Sequence, residues 1–469
     1  MLVRLEVDGF KNLLGFTAEF GPFTCVAGPN GIGKSNVFDA IRFLALLADH
    51  PLAEAARRVR GPAEGPPAPE ELFWTDGTRR AETMRFAAEL LVPDAVEDDF
   101  GRPATPSSTL LRYELALTLA PPRAPGDAGR LVLASEALHP INKGDAHRHL
   151  RFRHSASRFR EATVRNARSG GPFISTEPAA NGGRAVRVHG DGGHPGLLEP
   201  SPLDRAPATI VSVTTTADRP TILAARREMQ RWRRLAFEPG AMRHDDPFQA
   251  PRALGEDGAR LAASLFGLAT EHPGGPEVAY ARLGALVTPL APIEAVRVDR
   301  DDHRRLLRLE ARVEDGAWLP ARALSDGTLR ALGLAVAAAD PRGGLICVEE
   351  PENGVHPSRL MALAALLRGM VVDPRRPPGP DNPLRQVIVN THSPALVELQ
   401  PPDAVLIAES HRVLAPGGRW VHTVRFGAPA GTWRADEADG VGLDEAVSAL
   451  RTPHGENLQL RLDFQKRPK

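Results

Sequence analysis

The spacing of apolar residues along the chain switches between the two-residue period of strands and the longer period of helices. At the start, the segment MLVRLEVDGF alternates apolar and polar residues, which is typical of a strand with one covered face. The short apolar runs LICV and QVIV predict two buried strands, and the apolar residues of 360–372 predict a helix between them. This order fits a β–α–β unit and favours an α/β fold.

A strand, a Gly-rich turn and a helix are predicted in direct succession over residues 22–48. The apolar helix positions are Val37, Ile41, Leu44 and Ala48. The turn, GPNGIGKS at residues 28–35, fits the pattern GxxxxGK[ST] of a phosphate loop, in which backbone N–H groups and a helix N-terminus surround phosphates.

Within this loop, we expect Lys34 to pair with the β- and γ-phosphates of a nucleotide and Ser35 to bind Mg²⁺. The candidate nucleotide-binding residues are Gly28, Asn30, Gly31, Gly33, Lys34, Ser35 and Asn36.

Two adjacent carboxylates, Glu349 and Glu350, directly follow the apolar run LICV. Side-chain alternation would aim them in different directions at the carboxyl end of a strand, where parallel sheets bind ligands. Hydrolysis needs one carboxylate to orient the metal and its water shell and another to polarise the attacking water. We therefore assign Glu349 to Mg²⁺ and Glu350 to the general base.

A histidine and a possible helix cap complete the candidate chemistry. His392 follows the second buried strand, so we expect it at the same sheet edge, donating to the γ-phosphate or to the attacked oxygen. Ser325 precedes the apolar helix face of Leu329, Leu332 and Val336. It can cap that helix and leave the N–H groups of residues 326–328 to bind an anion. The alternative is that SDGT is only a turn and a helix cap.

Composition narrows the class of protein. The chain has 469 residues, 42% of them hydrophobic, and a formal net charge of zero, so no global field attracts nucleic acid. No apolar run approaches the length of a membrane helix and no leader is recognisable, so we predict a cytoplasmic protein without membrane contact. Cys25 and Cys347 lie in apolar runs, which predicts buried thiols.

In chain order, the four motifs resemble the ATP-binding-cassette ATPases of the RecF/SMC/OLD group. They are Gly28 to Ser35, Leu324 to Thr328, Glu349-Glu350-Pro351 and His392. They are most similar to bacterial predicted AAA-family ATPases with SDGT, EEPENGxHP and THSP motifs. The resemblance implies an α/β P-loop NTPase with an ABC-ATPase-like head, and ATP and Mg²⁺ as cofactors. It also implies a homodimer or a higher even-numbered oligomer, in which one subunit contacts the ATP that Lys34 of another subunit holds. The residues implied in that contact are Ser325, Asp326, Gly327 and Thr328.

The chain departs from the pattern of that group at several positions. Asp326 and Thr328 replace the usual Gly and Gln of transporter signatures, and Asp326 near a triphosphate would be repulsive unless its side chain points away. Glu349 stands where Asp is common. The loop expected at the dimer contact contains Asn353 and His356, and His356 replaces the usual aspartate. For the Q-loop glutamine, Gln230 and Gln249 are both candidates.

The domain organisation follows from the positions of the motifs. Residues 1–84 are expected to form the N-terminal half of the ATPase core, 85–215 a β-rich insertion, 216–295 a helical lobe, and 296–469 the C-terminal half. Within the helical lobe, ILAARREMQRWRRL has a helical pattern. The chain has no long heptad repeat, so we expect no coiled-coil arm. After His392 we expect two strands and a helix but no nuclease domain, so DNA cleavage would need a separate chain.

An arginine-rich stretch, residues 147–168, is a candidate contact with a nucleic-acid backbone, although such charged β-hairpin faces are usually only solvated. The candidate residues are Arg148, Arg151, Arg153, Arg158 and Arg160.

Three functions agree with these patterns. The leading one is an ATPase whose heads close on ATP and control DNA binding or an effector partner in DNA repair or anti-phage defence. A nucleotide-dependent scaffold or sensor with slow hydrolysis is the second. The third, the ATP subunit of a transporter, agrees less well with the long middle segments and the altered signature.

Overall fold

The computed structural model describes residues 1–59, 68–120, 129–166, 171–179, 183–191, 201–313, 316–415, 418–435 and 442–451. The strands are β1 (Leu2–Asp8), β2 (Phe16–Glu19), β3 (Phe23–Ala27), β4 (Thr83–Leu91), β5 (Val96–Glu97), β6 (Pro103–Ala104), β7 (Leu110–Ala120), β8 (Arg130–Pro140), β9 (Ile174–Pro178), β10 (Arg184–Val188), β11 (Ser201–Pro202), β12 (Arg233–Leu235), β13 (Asp246–Pro247), β14 (Ile293–Asp301), β15 (Leu306–Val313), β16 (Trp318–Pro320), β17 (Gly344–Glu349), β18 (Arg385–Thr391), β19 (Val405–Leu414) and β20 (Trp420–Gly427). The helices are α1 (Lys34–Leu47), α2 (Leu52–Arg58), α3 (Ala146–His149), α4 (Glu161–Thr163), α5 (Ile210–Val213), α6 (Pro220–Gln230), α7 (Pro239–Met242), α8 (Leu261–Glu271), α9 (Pro276–Val287), α10 (Asp326–Ala339), α11 (Leu360–Gly369), α12 (Pro394–Glu398) and α13 (Leu443–Arg451).

A six-stranded sheet in the order β12-β17-β18-β3-β19-β20 forms the centre of the fold. The strands from β12 to β19 run parallel, and β20 pairs antiparallel with β19. All residues of β3 and β18 are buried, as expected for strands covered on both faces. Helix α11 joins the parallel strands β17 and β18, which confirms the predicted β–α–β unit. Cys25 and Cys347 lie buried in this sheet as free thiols, and burial raises their pKa values.

A second, antiparallel sheet has the order β11-β10-β9-β8-β7-β4-β1-β2. The predicted boundary between residues 84 and 85 falls inside β4, which pairs with β1 on one side and β7 on the other. One hydrophobic cluster contains residues of α1 and of both sheets. Within it, Phe43 of α1 lies 5.8 Å from Phe86 of β4, measured between ring centroids. The phosphate-loop helix is thus fixed between the two sheets.

The structure differs from the sequence pattern in two segments. Helix α6 ends at Gln230, and Arg233–Leu235 form β12 instead of continuing the expected helix. The arginine-rich stretch does not form a β-hairpin, because Ala146–His149, Ala156–Arg160 and Glu161–Thr163 are helical turns. Their apolar residues do not alternate; Phe152, Phe159 and Val164 pack into a cluster with residues of β1 and β4.

The remaining elements lie beside the central sheet. Strands β13, β14, β15 and β16 form a third sheet. Helices α8 and α9 pack against this sheet, and α10 packs against α8 and α9. The two strands and the helix expected after His392 are β19, β20 and α13. In the described part of the chain, no helix has the length and apolar composition required to cross a bilayer.

Candidate nucleotide site

The phosphate loop connects the buried strand β3 to the start of α1. Gly31 and Gly33 adopt left-handed conformations with φ of 79° and 111°, which favour glycine. A Cβ atom on Gly33 would lie 2.2 Å from the Asn12 side chain, so the loop also needs glycine there for space. Asn12 in turn accepts a hydrogen bond from Asn36 Nδ2 at 2.7 Å. The loop is therefore tightly packed against the turn between β1 and β2.

The Lys34 side chain is folded into the loop. Its Nζ donates to the carbonyl oxygens of Gly28 and Pro29, each at 2.7 Å. Burial lowers the pKa of Lys34, and three nearby carboxylates oppose that shift. These carboxylates belong to Glu350, Glu352 and Glu349. An ammonium group held in this position neutralises part of an acidic site and can exchange its two carbonyl contacts for phosphate oxygens.

Ser35 and Glu349 meet where a metal ion would be needed. The Ser35 hydroxyl donates to Glu349 Oε2 at 3.3 Å, although the two residues are far apart in sequence. A hydroxyl and a carboxylate beside a phosphate loop are hard oxygen donors of the kind that Mg²⁺ prefers. The residues present therefore fit a nucleotide with Mg²⁺.

The second oxygen of Glu349 is bound by a residue that the sequence did not indicate. Arg234, from the edge strand β12, donates from Nε to Glu349 Oε1 at 2.5 Å. Its Nη1 also lies 3.8 Å from Oδ1 of Asp39, a buried residue of α1. Burial disfavours the charge of Arg234, but the charge and hydrogen bond of Glu349, together with the charge of Asp39, outweigh it and raise the pKa of the guanidinium.

Glu350 directly follows the last residue of β17, at the carboxyl end where it was expected, but a left-handed backbone and not strand alternation sets its direction. Strand β17 ends at Glu349, and Glu350 adopts φ of 44°, a left-handed conformation that costs about 1–2 kcal/mol for a residue with a Cβ atom. Its backbone N–H donates to the Asn390 carbonyl at 3.1 Å and to Asn390 Oδ1 at 3.0 Å. Its carboxylate accepts a hydrogen bond from Asn353 Nδ2 at 2.7 Å.

His392 lies beside this carboxylate, at the sheet edge where it was expected. Its Nδ1 is 3.3 Å from Glu350 Oε1 and 4.0 Å from Glu352 Oε1. Glu352 is buried, accepts a hydrogen bond from the Thr391 hydroxyl, and has a pKa raised by burial. Within the described residues, neither His392 Nδ1 nor Glu352 Oε2 has a hydrogen-bond partner. The sequence analysis did not identify Glu352, although it is the third glutamate of the segment EEPE at residues 349–352.

The loop at Ser325 forms the predicted helix cap. Ser325 Oγ accepts a hydrogen bond from the Thr328 N–H at 3.3 Å, at the start of α10. The N–H of Thr328 is therefore already used, which corrects the expectation that all three N–H groups of residues 326–328 are free for an anion. The Asp326 carboxylate binds Arg243 at 2.6 Å, so its charge is paired within the chain. Ser325 and Asp326 are exposed.

The loop that follows Glu350 packs against the start of α10. A Cβ atom on Gly327 would lie 2.0 Å from the Gly354 carbonyl oxygen, so the two backbones touch. Arg330 of α10 donates to the Asn353 carbonyl at 3.1 Å. Farther along, His356 is exposed and caps the next helical turn by accepting from the Ser358 N–H. The loop thus joins the candidate base to the Ser325 loop.

The two glutamines considered for the Q-loop lie at other contacts. Gln230 Nε2 donates to Asp49 at 2.6 Å, and its Oε1 accepts from Arg227. Gln249 is exposed in the turn after β13. Strand β12 is the parallel neighbour of β17, and the residue that it brings to Glu349 is Arg234.

A cleft of about 640 Å³ adjoins the phosphate loop. Its walls contain Lys11, Asn12 and Asn36, residues 71–76, and residues 419–422. Trp420, on strand β20, is 58% exposed at this cleft. The cleft starts beside the first turn of α1, where Asn36 forms part of its wall.

Three of the five candidate nucleic-acid arginines are paired with acids. Their partners are Asp145 for Arg148, Glu19 for Arg151 and Asp403 for Arg153, at 3.3, 3.0 and 3.7 Å. Arg158 is exposed and Arg160 is half-buried. The last residues of the stretch, 167 and 168, lie outside the described residues.

Parts of the sequence are similar to known proteins. The family model described as "AAA domain, putative AbiEii toxin, Type IV TA system" matches residues 23–93 and 251–398, a little under half of the chain. Over 45 residues, 9% of the chain, the sequence is 51% identical to structural maintenance of chromosomes protein 1 of Schizosaccharomyces pombe, of whose length the chain spans 4%.

Solved structures of SMC heads are similar over most of the chain, at low identity. An SMC head bound to the C-winged helix domain of ScpA is 14% identical, covering 90% of this chain and 97% of that one, with a TM-score of 0.46. The Thermotoga maritima SMC head is 12% identical, with coverages of 90% and 97% and a TM-score of 0.36. An Smc head with an extended coiled coil bound to the C-terminal domain of ScpA, derived from Pyrococcus furiosus, is 12% identical, with coverages of 96% and 98% and a TM-score of 0.45. The family match, taken with the phosphate loop, supports an AAA-type P-loop ATPase domain.

Proposed function

We propose that this chain is an ATP-binding and ATP-hydrolysing ABC-type ATPase whose heads dimerise around ATP. The observation that carries the proposal is the convergence of separate segments at one edge of the central sheet. Lys34 and Ser35 from the phosphate loop meet Glu349 at the end of β17, Glu350 directly after it, and His392 after β18. This convergence supports both nucleotide binding and hydrolysis.

Each side chain then has a distinct task. Lys34 leaves the loop carbonyls and pairs with the phosphates, while Ser35 and Glu349 hold Mg²⁺. When bound, Mg²⁺ neutralises charge that develops on the phosphates. Glu350 takes a proton from the attacking water, and His392, 3.3 Å from that carboxylate, orients it or donates to a phosphate oxygen.

The nucleoside end of ATP would occupy the cleft beside Asn36. A nucleotide whose terminal phosphates lie at Lys34 has its sugar and base near the first turn of α1 or beyond it. The cleft offers aromatic and polar groups there, including Trp420 and Lys11. Its volume of about 640 Å³ is within the range of small-ligand pockets.

The exposed Ser325 loop supports dimerisation. Ser325 and Asp326 face solvent, and their loop packs against the 350–356 loop of the same chain. A second copy that presents these residues to ATP would complete each site, so two nucleotides would be enclosed between two heads. The same contact would couple binding of the partner to the position of the 350–356 loop.

Light scattering of the Glu350→Gln protein with and without Mg-ATP tests this proposal. We expect the mass to double with Mg-ATP and the added Ser325→Arg substitution to abolish the doubling, because a large cation then fills the contact. An unchanged monomer would contradict ATP-driven dimerisation. A dimer that persists in both variants and both conditions would place the main interface elsewhere.

A nucleotide-dependent scaffold or sensor is the second candidate, and the state of Glu350 favours it. The carboxylate of Glu350 is hydrogen-bonded to Asn353 and its backbone is left-handed, so hydrolysis requires a rearrangement. If ATP acts only as a ligand that shifts the chain from open to closed, Lys34→Ala would lose the biological effect and Glu350→Gln would keep it.

We further propose that the closed dimer controls DNA binding or a separate effector or nuclease chain, in DNA repair or anti-phage defence. Only the resemblance of the motifs supports this biology. The ion pairs of Arg148, Arg151 and Arg153 weaken the positive field of the arginine-rich stretch. Fluorescence anisotropy with labelled duplex DNA, with and without Mg-ATP and over a range of salt concentrations, tests the DNA part.

A further inference from the structure

We propose that Arg234 prevents Mg²⁺ from binding at Glu349 until a nucleotide is present, and so couples metal binding to ATP binding. This inference rests on the proposed function, because it concerns the same metal site. It assigns a positioning role to an arginine on the edge strand of the sheet, outside all the sequence motifs.

Two hydrogen-bond donors already occupy the Glu349 carboxylate. Arg234 Nε donates to Oε1 at 2.5 Å, and the Ser35 hydroxyl donates to Oε2 at 3.3 Å. Both carboxylate oxygens are thus bound by donors within the chain. A metal ion that approaches Glu349 must displace one of these donors or share an oxygen with a guanidinium cation.

Strand pairing and a second acid hold Arg234 beside Glu349. Strand β12 pairs with β17, and Arg234 stands in register with Cys347, two residues before Glu349. Buried Asp39, from α1, lies 3.8 Å from the guanidinium on its other side. The Arg234 side chain is only 20% exposed, and Glu349 only 17%. Limited solvent access keeps the attraction between guanidinium and carboxylate strong.

The positive charge of Arg234 opposes the binding of Mg²⁺ at Glu349. Without a nucleotide, Mg²⁺ at Glu349 would meet the fixed charge of Arg234 and gain few compensating ligands. Phosphate oxygens of ATP supply both further ligands and negative charge, which offsets the repulsion. The metal would therefore enter with the nucleotide and not before it.

Manganese binding measured by electron paramagnetic resonance, which counts free Mn²⁺, tests the inference without reference to turnover. Mn²⁺ is titrated into full-length wild type, Arg234→Gln, and the control Arg231→Gln, which removes an exposed arginine three residues away. Without nucleotide, we expect Arg234→Gln to bind Mn²⁺ about 10- to 100-fold more tightly than wild type. Arg231→Gln should match wild type. Adding Glu349→Gln to Arg234→Gln should remove the gain.

Repeating the titration with adenosine 5′-(β,γ-imido)triphosphate separates this inference from the proposed function. If wild type binds Mn²⁺ with this nucleotide but Arg234→Gln has unchanged nucleotide-free affinity, the role of Arg234 is refuted and the nucleotide site stands. If wild type does not bind the nucleotide at all, both proposals are refuted. Should Arg234→Gln not fold, Arg234→Met, which also removes the charge, replaces it: a nucleotide-free affinity above wild type supports the inference, and an equal affinity overturns it.

Discussion

Replacing Gly327 by alanine should separate two backbones that now touch. The added Cβ atom would lie 2.0 Å from the Gly354 carbonyl oxygen, so the 350–356 loop or the start of α10 must retreat by more than about 1 Å. Overpacking of this kind costs about 1–3 kcal/mol. The retreat also weakens the hydrogen bond from Arg330 to the Asn353 carbonyl, at a cost of about 1 kcal/mol.

A gain in helix propensity partly offsets these costs. Alanine in place of glycine stabilises a helix by up to about 1 kcal/mol. Gly369, the exposed last residue of α11, provides the matched control, since a Cβ atom there meets nothing within 4 Å. We expect Gly369→Ala to leave the free energy of unfolding unchanged or slightly raised. For Gly327→Ala we expect a net loss of about 1–3 kcal/mol.

Urea denaturation of the nucleotide-free protein measures the free energy of unfolding of both variants. Because the proposed dimer needs ATP, this measurement reports contacts within one chain. ATP turnover should fall in Gly327→Ala, because the retreat of the 350–356 loop displaces the Glu350 carboxylate at the start of that loop. Nucleotide affinity should be retained, because the phosphate loop is unaffected. Equal stability of the two variants together with unchanged turnover would refute the described contact.

Three further outcomes are expected. Lys34→Ala should lose measurable ATP binding in calorimetry, because it removes the loop's ammonium group; unchanged affinity would count against the site. Glu350→Gln should cut turnover by about 10²- to 10⁴-fold while ATP still binds, and a fully active variant would disprove its role as base. Burial raises the pKa of Glu136 to about 7, so the folded state binds more protons than the unfolded state between about pH 4.5 and 7. Stability should therefore fall as pH rises through this window, and denaturation of Glu136→Gln should show a weaker dependence; an identical pH profile would contradict the raised pKa.

Local patterns predicted the parts of the site that depend on neighbouring residues. The strand, glycine turn and helix around Lys34 follow from apolar spacing and a fixed motif, and Ser325 caps its helix through a contact three residues away. The burial of β17 and β18 was visible as continuous apolar runs. In these segments the local sequence and the final fold agree.

The rest of the site depends on partners that are distant in sequence. Strand β12 has three residues, two of them arginines, and no apolar pattern distinguishes it from the end of the preceding helix. Only its pairing with β17 brings Arg234 to Glu349. The left-handed conformation of Glu350 is supported by Asn390, whose two oxygens accept hydrogen bonds from the Glu350 N–H. No local pattern reveals this contact, because it forms only when β18 lies beside β17.

The strand order of the central sheet has a consequence for how the chain is made. Strand β3, which carries the phosphate loop, has β18 and β19 as its neighbours, and both are formed by residues after 384. During synthesis the chain emerges from its N-terminus, so the phosphate loop leaves the ribosome long before the strands that support it. Such distant pairing slows folding. We therefore expect the phosphate loop to be supported on both sides only after β19 has emerged.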